Sequence, residues 1–373
     1  MRVHAQGHAG ALALCAAYTT LLATVFPGPI YRGGQTCLET SEANLTMEEA
    51  DEKPQPPRHR PVAILLIVFA WLTYVPMIVF NWLTGSGAVP GLFVSSVGNT
   101  SRRFPFEIAP SSWVFSIWFV IYAWGFLWLI YITVGIFRKN SRGYFYVTPE
   151  LFPPAFYVIW YFSNFFNISW LFMNDSLQRV GAAMLLVLLS LSLYYMLYIS
   201  YRRVDQNGPW LTKNAPADLW LIRFFVHNGL AIYATWVTIA TLLGFGIALT
   251  YEGGYSNEDV STGMLALLAA MVLVWFVLEN FVFDRYCRYT LVPYMVVVVA
   301  LIGIIDSFIR LGGGLEKRNA VITCGLLGVS SLALVFRFSL VIWRHVTQPL
   351  YRNTVKTTSV KMSELNAGFT AEL

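Results

Sequence analysis

Apolar residues run through this chain in long blocks rather than in alternation with polar ones. Eight blocks are long enough to cross a bilayer: 62–84, 113–137, 151–173, 181–201, 219–250, 262–283, 289–309 and 320–343. A spanning helix needs roughly 20 such residues, because the hydrocarbon layer offers the backbone no water to bond with. The fifth block exceeds that length and predicts a helix that tilts or projects. A further apolar stretch, residues 9–26 ("AGALALCAAYTTLLATVF"), follows a single Arg2 and reads as a signal peptide, an extra helix or an interfacial segment. The polar residues mark the joints. Residues 27–61 form a polar linker, acidic and then Pro-rich and basic, and residues 344–373 form a polar tail. The predicted fold class is all-α: a polytopic integral membrane bundle of eight transmembrane helices, nine if 9–26 also crosses.

Composition fits that pattern and closes off others. The 373 residues are 57% hydrophobic and only 12% charged, about half the charge of an ordinary soluble domain. The 27 Phe, 20 Tyr and 13 Trp exclude a disordered chain. Cys15, Cys37, Cys287 and Cys324 lie far apart without metal-ligand spacing, so neither a disulfide framework nor a metal site is expected. A net charge of +5 would suit nucleic acid, but its positions sort by membrane side. Twelve Lys or Arg follow the second, fourth, sixth and eighth spans, against six after the others. Basic residues in short loops favour the cytoplasm, so the C-terminus is expected there and the 85–112 loop outside. That loop holds the sequon Asn99-Thr100-Ser101, and the linker holds Asn44-Leu45-Thr46.

Nine of the thirteen tryptophans fall between Trp113 and Trp236. Interfacial anchoring accounts for Trp113, Trp210 and Trp220, near the ends of spans. It does not account for Trp124, Trp160 and Trp236, which lie deep in theirs; such aromatics pack helices together or line a cavity for a flat apolar ligand. Three stretches carry an order of their own: "IAPSSWVFSIWFVIYAWGF" (108–126), "FNISWLFMNDSLQRVGAAML" (166–185) and "IYATWVTIATLL" (232–243). Together they resemble the tryptophan-rich sensory protein and translocator protein family, TspO/MBR, on its second, third and fifth helices.

The resemblance covers residues 62–250 and implies a five-helix bundle, with 262–343 as three additional helices that have no counterpart in the five-helix unit. It implies binding, with transport or sensing, of a hydrophobic planar molecule of the sterol or porphyrin class. The matching pocket positions are Trp113, Trp118, Asn167, Trp170, Trp236, Ala240 and Thr241. Trp236 and Ala240 are four apart and share a helical face, where the small residue leaves room beside the large one. Asn167 in mid-membrane needs a partner and serves either a ligand or an interhelical hydrogen bond.

Ionisable residues within spans are costly and are usually paired or functional. Asp306 and Arg310, spaced four apart, are expected to neutralise each other, and Glu279 and Arg337 to pair across the added helices. Arg223 is expected to snorkel to the surface, with His227 one turn deeper. These two and the Asp306 and Arg310 pair are the coupling candidates if the protein is instead a secondary transporter. A sterol-type pattern at Leu197, Tyr201 and Arg203 reads more simply as a helix end with its anchor. "FDRYCRY" (283–289) contains the Asp-Arg-Tyr run of rhodopsin-like receptors, a signalling alternative, but too few helices follow it, and a charged turn is the simpler reading. No catalytic motif occurs, so no enzyme activity and no cofactor are expected. The expected partners are the lipid membrane and a hydrophobic small molecule, without nucleic acid, and a homodimer is left open. A plasma or internal membrane is favoured over the mitochondrial one, because the first thirty residues hold only Arg2 and Arg32 lies beyond them.

Overall fold

A computed structural model of the protein describes residues 59–86, 93, 103–310 and 314–351. The stretch 9–26, both sequons, Cys15 and Cys37 lie outside the described residues. The long helices are α1 (Pro61–Ser86), α2 (Ser112–Val134), α3 (Pro154–Asp175), α4 (Arg179–Asn214), α5 (Pro216–Tyr251), α6 (Asn257–Val282), α7 (Val292–Arg310) and α8 (Arg318–Thr347). Among the described residues seven helices are long and apolar enough to cross a membrane. The other is α3, expected as the third span: its buried Ser163, Asn164 and Asn167 dilute its apolar character.

α4 corrects a boundary. The fourth span was expected to stop at 201, but the helix continues to Asn214. Charged residues such as Arg202, Arg203 and Asp205 end the hydrophobic block without ending the helix, since Lys, Arg and Gln are good helix formers in water. Only Ala215 separates α4 from α5.

α5 is the axis of the assembly. It packs against α2 and α4 on one side and against α6 and α7 on the other, while α3 bridges α1 to α4 and α8 lies on α6 and α7. Outer faces, such as Val62, Leu65, Phe69 and Leu72 of α1, are apolar and exposed, as lipid contact requires. The segments after α2, α4, α6 and α8 meet at one end of the bundle. There Arg138 pairs with Asp218 at 2.7 Å, Arg203 with Glu150 at 3.4 Å, Arg285 with Asp205 at 2.6 Å and Arg344 with Asp284 at 2.7 Å. These are the basic segments that the charge pattern assigns to one membrane side. A two-residue antiparallel ladder, β1 (Lys139–Asn140) with β2 (Gly143–Tyr144), shapes the link from α2 to α3.

At the other end the chain before α2 folds back over the bundle. The Ser111 amide donates to the Gly303 carbonyl at 2.9 Å. Glycine is needed at 303: a Cβ there would lie 2.1 Å from Val114.

Candidate functional site

Beneath that folded-back segment lies a partly open pocket. Phe104 and Phe106 roof it, Trp118, Trp170 and Trp236 form its floor, and Ala183, Ala240 and Gly244 line its sides. The space exists because α4 and α5 present small residues to each other there: a Cβ on Gly244 would first meet the Ala183 methyl, at 3.5 Å, in ordinary contact. Gly246 has a different task, since a Cβ there would strike the Phe106 ring at 2.4 Å.

Trp118 organises the floor. Its ring stacks on Tyr122 and Trp170, with centroids 5.6 and 6.0 Å away, and meets Trp236 edge-on at 6.3 Å. Such offset and edge-to-face contacts each contribute about 0.5–1.5 kcal/mol beyond area burial. Trp236 is 1% exposed, and its indole N–H has no hydrogen-bond partner among the described residues. The site therefore offers flat aromatic surfaces, with a shielded indole N–H among them. Arg179 stands at its rim, over the Phe104 ring at 3.9 Å and paired with Glu252 at 3.3 Å.

Trp118, Trp170, Trp236 and Ala240 all line this cavity; Trp113, Asn167 and Thr241 do not. Trp113 is 45% exposed, and its indole donates to Asp306 at 3.0 Å. The reason is local: Ser112–Ser116 is a tight 3₁₀ turn, which rotates successive side chains further than an α-helix does and brings Trp113 out against α7. Asn167 lies under the floor in a neutral relay. Tyr122 donates to Asn81 at 2.7 Å, Asn81 to Asn167 at 2.7 Å and Asn167 to Tyr233 at 2.8 Å, which joins α1, α2, α3 and α5. The Thr241 hydroxyl returns to the Val237 carbonyl of its own helix. The roof residues Phe104 and Phe106 were not anticipated. The signal available was a Phe-Pro-Phe sequence in a stretch that is otherwise polar.

The coupling candidates occupy two other places. Arg310 pairs with Asp306 at 2.8 Å at the exposed edge of α7. Arg223 is 8% exposed and packs at the arginine-rich end of the bundle, with its guanidinium over the rings of Trp220 at 4.9 Å and Tyr289 at 4.1 Å. A π-turn, Ile222–Asn228, causes this by shifting the register of α5, and the Asn228 side chain donates to the Arg223 carbonyl at 2.8 Å. His227, in the same turn, bonds to Ser200 at 3.0 Å and abuts the Tyr201 ring. "FDRYCRY" forms one helical turn, Asp284–Cys287. Arg203 of the sterol-type pattern pairs with Glu150, on a different face from the aromatic cavity.

A family model described as TSPO-like protein matches residues 67–336. The match is not confined to 62–250: it runs through α6 and α7 into α8. No curated protein and no solved structure matches the chain.

Proposed function

This chain belongs to the TSPO-like protein family, and from that premise we propose that it binds a hydrophobic planar molecule, of the sterol or porphyrin class, in the aromatic cavity under the chain before α2. The protein is an integral, multi-pass membrane protein. The observation that carries the reading is the coincidence of Trp118, Trp170 and Trp236 around one pocket, with a buried, unpartnered indole N–H among them. Stacking holds a flat ring system, and a ligand oxygen or nitrogen accepts a hydrogen bond from the Trp236 N–H. The role is binding, in the service of transport or sensing, without catalysis. We place the C-terminus in the cytoplasm, with the arginine-rich end of the bundle.

Titration of the purified protein with protoporphyrin tests this. Saturable quenching of tryptophan fluorescence is expected. Ala240→Trp, which fills the cavity from α5, is expected to weaken binding by about tenfold or more, a loss of roughly 1.4 kcal/mol per decade. Quenching that does not saturate, or that Ala240→Trp leaves unchanged, refutes the assignment.

One observation favours a second reading, a secondary transporter. Arg223 is buried with no carboxylate within ion-pair distance among the described residues, and His227 adjoins it in the same π-turn. That reading requires pH-dependent flux in proteoliposomes that His227→Gln removes; flux that is unchanged in this variant rejects it.

A further inference from the structure

A second, partly open cavity lies on the opposite side of α5. Leu197 and Tyr201 of α4, Thr235 of α5, Leu268 and Trp275 of α6 and Tyr294 of α7 contribute to its walls, and no charged side chain lines it. Thr235 and Trp236 are consecutive, so α5 alone separates this space from the aromatic cavity. The new space also lies deeper: from Ala183 to Tyr194 along α4 is about 16 Å at 1.5 Å per residue. Half of its wall comes from α6 and α7, which a five-helix unit does not possess.

Its polar groups are mostly satisfied among themselves. Tyr194 bonds to Thr238 at 3.0 Å, and Tyr201 to Thr290 at 2.7 Å. Two groups remain. The Trp275 indole N–H is shielded and has no hydrogen-bond partner among the described residues. The Tyr294 hydroxyl, in a side chain 1% exposed, is turned toward the Glu279 carboxylate without a hydrogen bond of good geometry. At membrane depth a polar group left unpaired is costly, and a lipid acyl chain brings nothing to pair with it.

We propose that this junction cavity is a second binding site, and that it takes a neutral, lipid-soluble molecule with an apolar body and one hydroxyl or carbonyl oxygen. The uncharged lining excludes an ionised ligand, whose desolvation nothing there offsets. The ligand oxygen accepts the Trp275 N–H, and a hydroxyl at that place also reaches the Tyr294 oxygen. The proposal does not depend on what occupies the aromatic cavity.

The test uses the full chain in phosphatidylcholine nanodiscs, labelled with a diazirine-bearing hexadecanol and mapped by peptide mass spectrometry. Saturable labelling is expected at 268–275 and 293–297, displaced by hexadecanol at about tenfold lower concentration than by hexadecane. Trp275→Phe keeps the ring and removes the donor, and is expected to weaken labelling about three- to tenfold, the range of one hydrogen bond. Ala240→Trp, in the other cavity, is expected to leave labelling unchanged. Labelling that is unsaturable and spread over the exposed face of α8 at Val329, Leu332 and Val335 overturns the proposal, as does equal competition by alcohol and alkane. Loss of labelling in Ala240→Trp assigns the signal to the aromatic cavity and overturns it as well.

Discussion

The two halves of the bundle hold their helices together by different chemistry. Helix association in lipid gains little from hydrophobicity and relies on close packing and polar contacts. In the middle of α1–α5 those contacts are neutral, the Tyr122, Asn81, Asn167 and Tyr233 relay surrounded by stacked indoles, while ion pairs such as Arg138 with Asp218 sit at the helix ends. In α6–α8 they are ionic. Arg337 and Glu279, both 0% exposed, face each other at 3.2 Å, and Arg337 also donates to Asn280 at 2.9 Å and to the Cys287 carbonyl at 2.9 Å. A π-turn, Leu278–Val282, carries Glu279 and Asn280 into this cluster. The difference has a functional side. Neutral relays and flat rings leave room for an uncharged guest, whereas a buried ion cluster admits no guest and fixes where α6, α7 and α8 meet.

Breaking the ionic half is expected to have the largest effect. Arg337→Leu strands Glu279 in the bundle and is expected to cost about 3–5 kcal/mol of stability. The double variant with Glu279→Leu should recover most of it, because a pair of apolar residues replaces a buried pair of charges at little net cost. Equilibrium unfolding in mixed micelles reads both, and a double variant no more stable than Arg337→Leu removes the ionic account. Breaking the neutral half costs less: Asn167→Ala leaves Asn81 and Tyr233 each short of one partner and is expected to lose about 1–2 kcal/mol. If it loses as much as Arg337→Leu, the contrast between the halves fails. The mildest probe is Cys287, whose thiol is held above its ordinary pKa by burial. Maleimide should leave it unmodified in the parent and label it in Arg337→Leu, which opens the cluster at the Cys287 carbonyl; labelling of the parent would mean that the cluster is open already.

Much of this contrast was legible in the sequence, for reasons that differ by residue. Charges in apolar blocks must find each other, so Glu279 with Arg337 and Asp306 with Arg310 followed from cost alone. Trp236 and Ala240 followed from the family resemblance, and their spacing puts them on one helical face. Three features resisted because local backbone departs from the ideal α-helix. The 3₁₀ turn at Ser112–Ser116 carried Trp113 out of the cavity, and the π-turn at Ile222–Asn228 set Arg223 against Trp220 and Tyr289. The charged end of α4 hid a helix that outlasts its apolar block. The roof at Phe104 and Phe106 belongs to tertiary folding of a connecting segment, which periodicity does not report.

The central claim is that the aromatic cavity, and not the lipid surface, receives a planar ligand. Illumination of the protein with bound protoporphyrin generates short-lived oxidant at the ligand, and peptide mass spectrometry then finds the tryptophans beside it. Preferential oxidation of Trp118, Trp170 and Trp236 is predicted, with Trp82 and Trp343, exposed on the outer faces of α1 and α8, spared. Oxidation that favours Trp82 and Trp343 would contradict it.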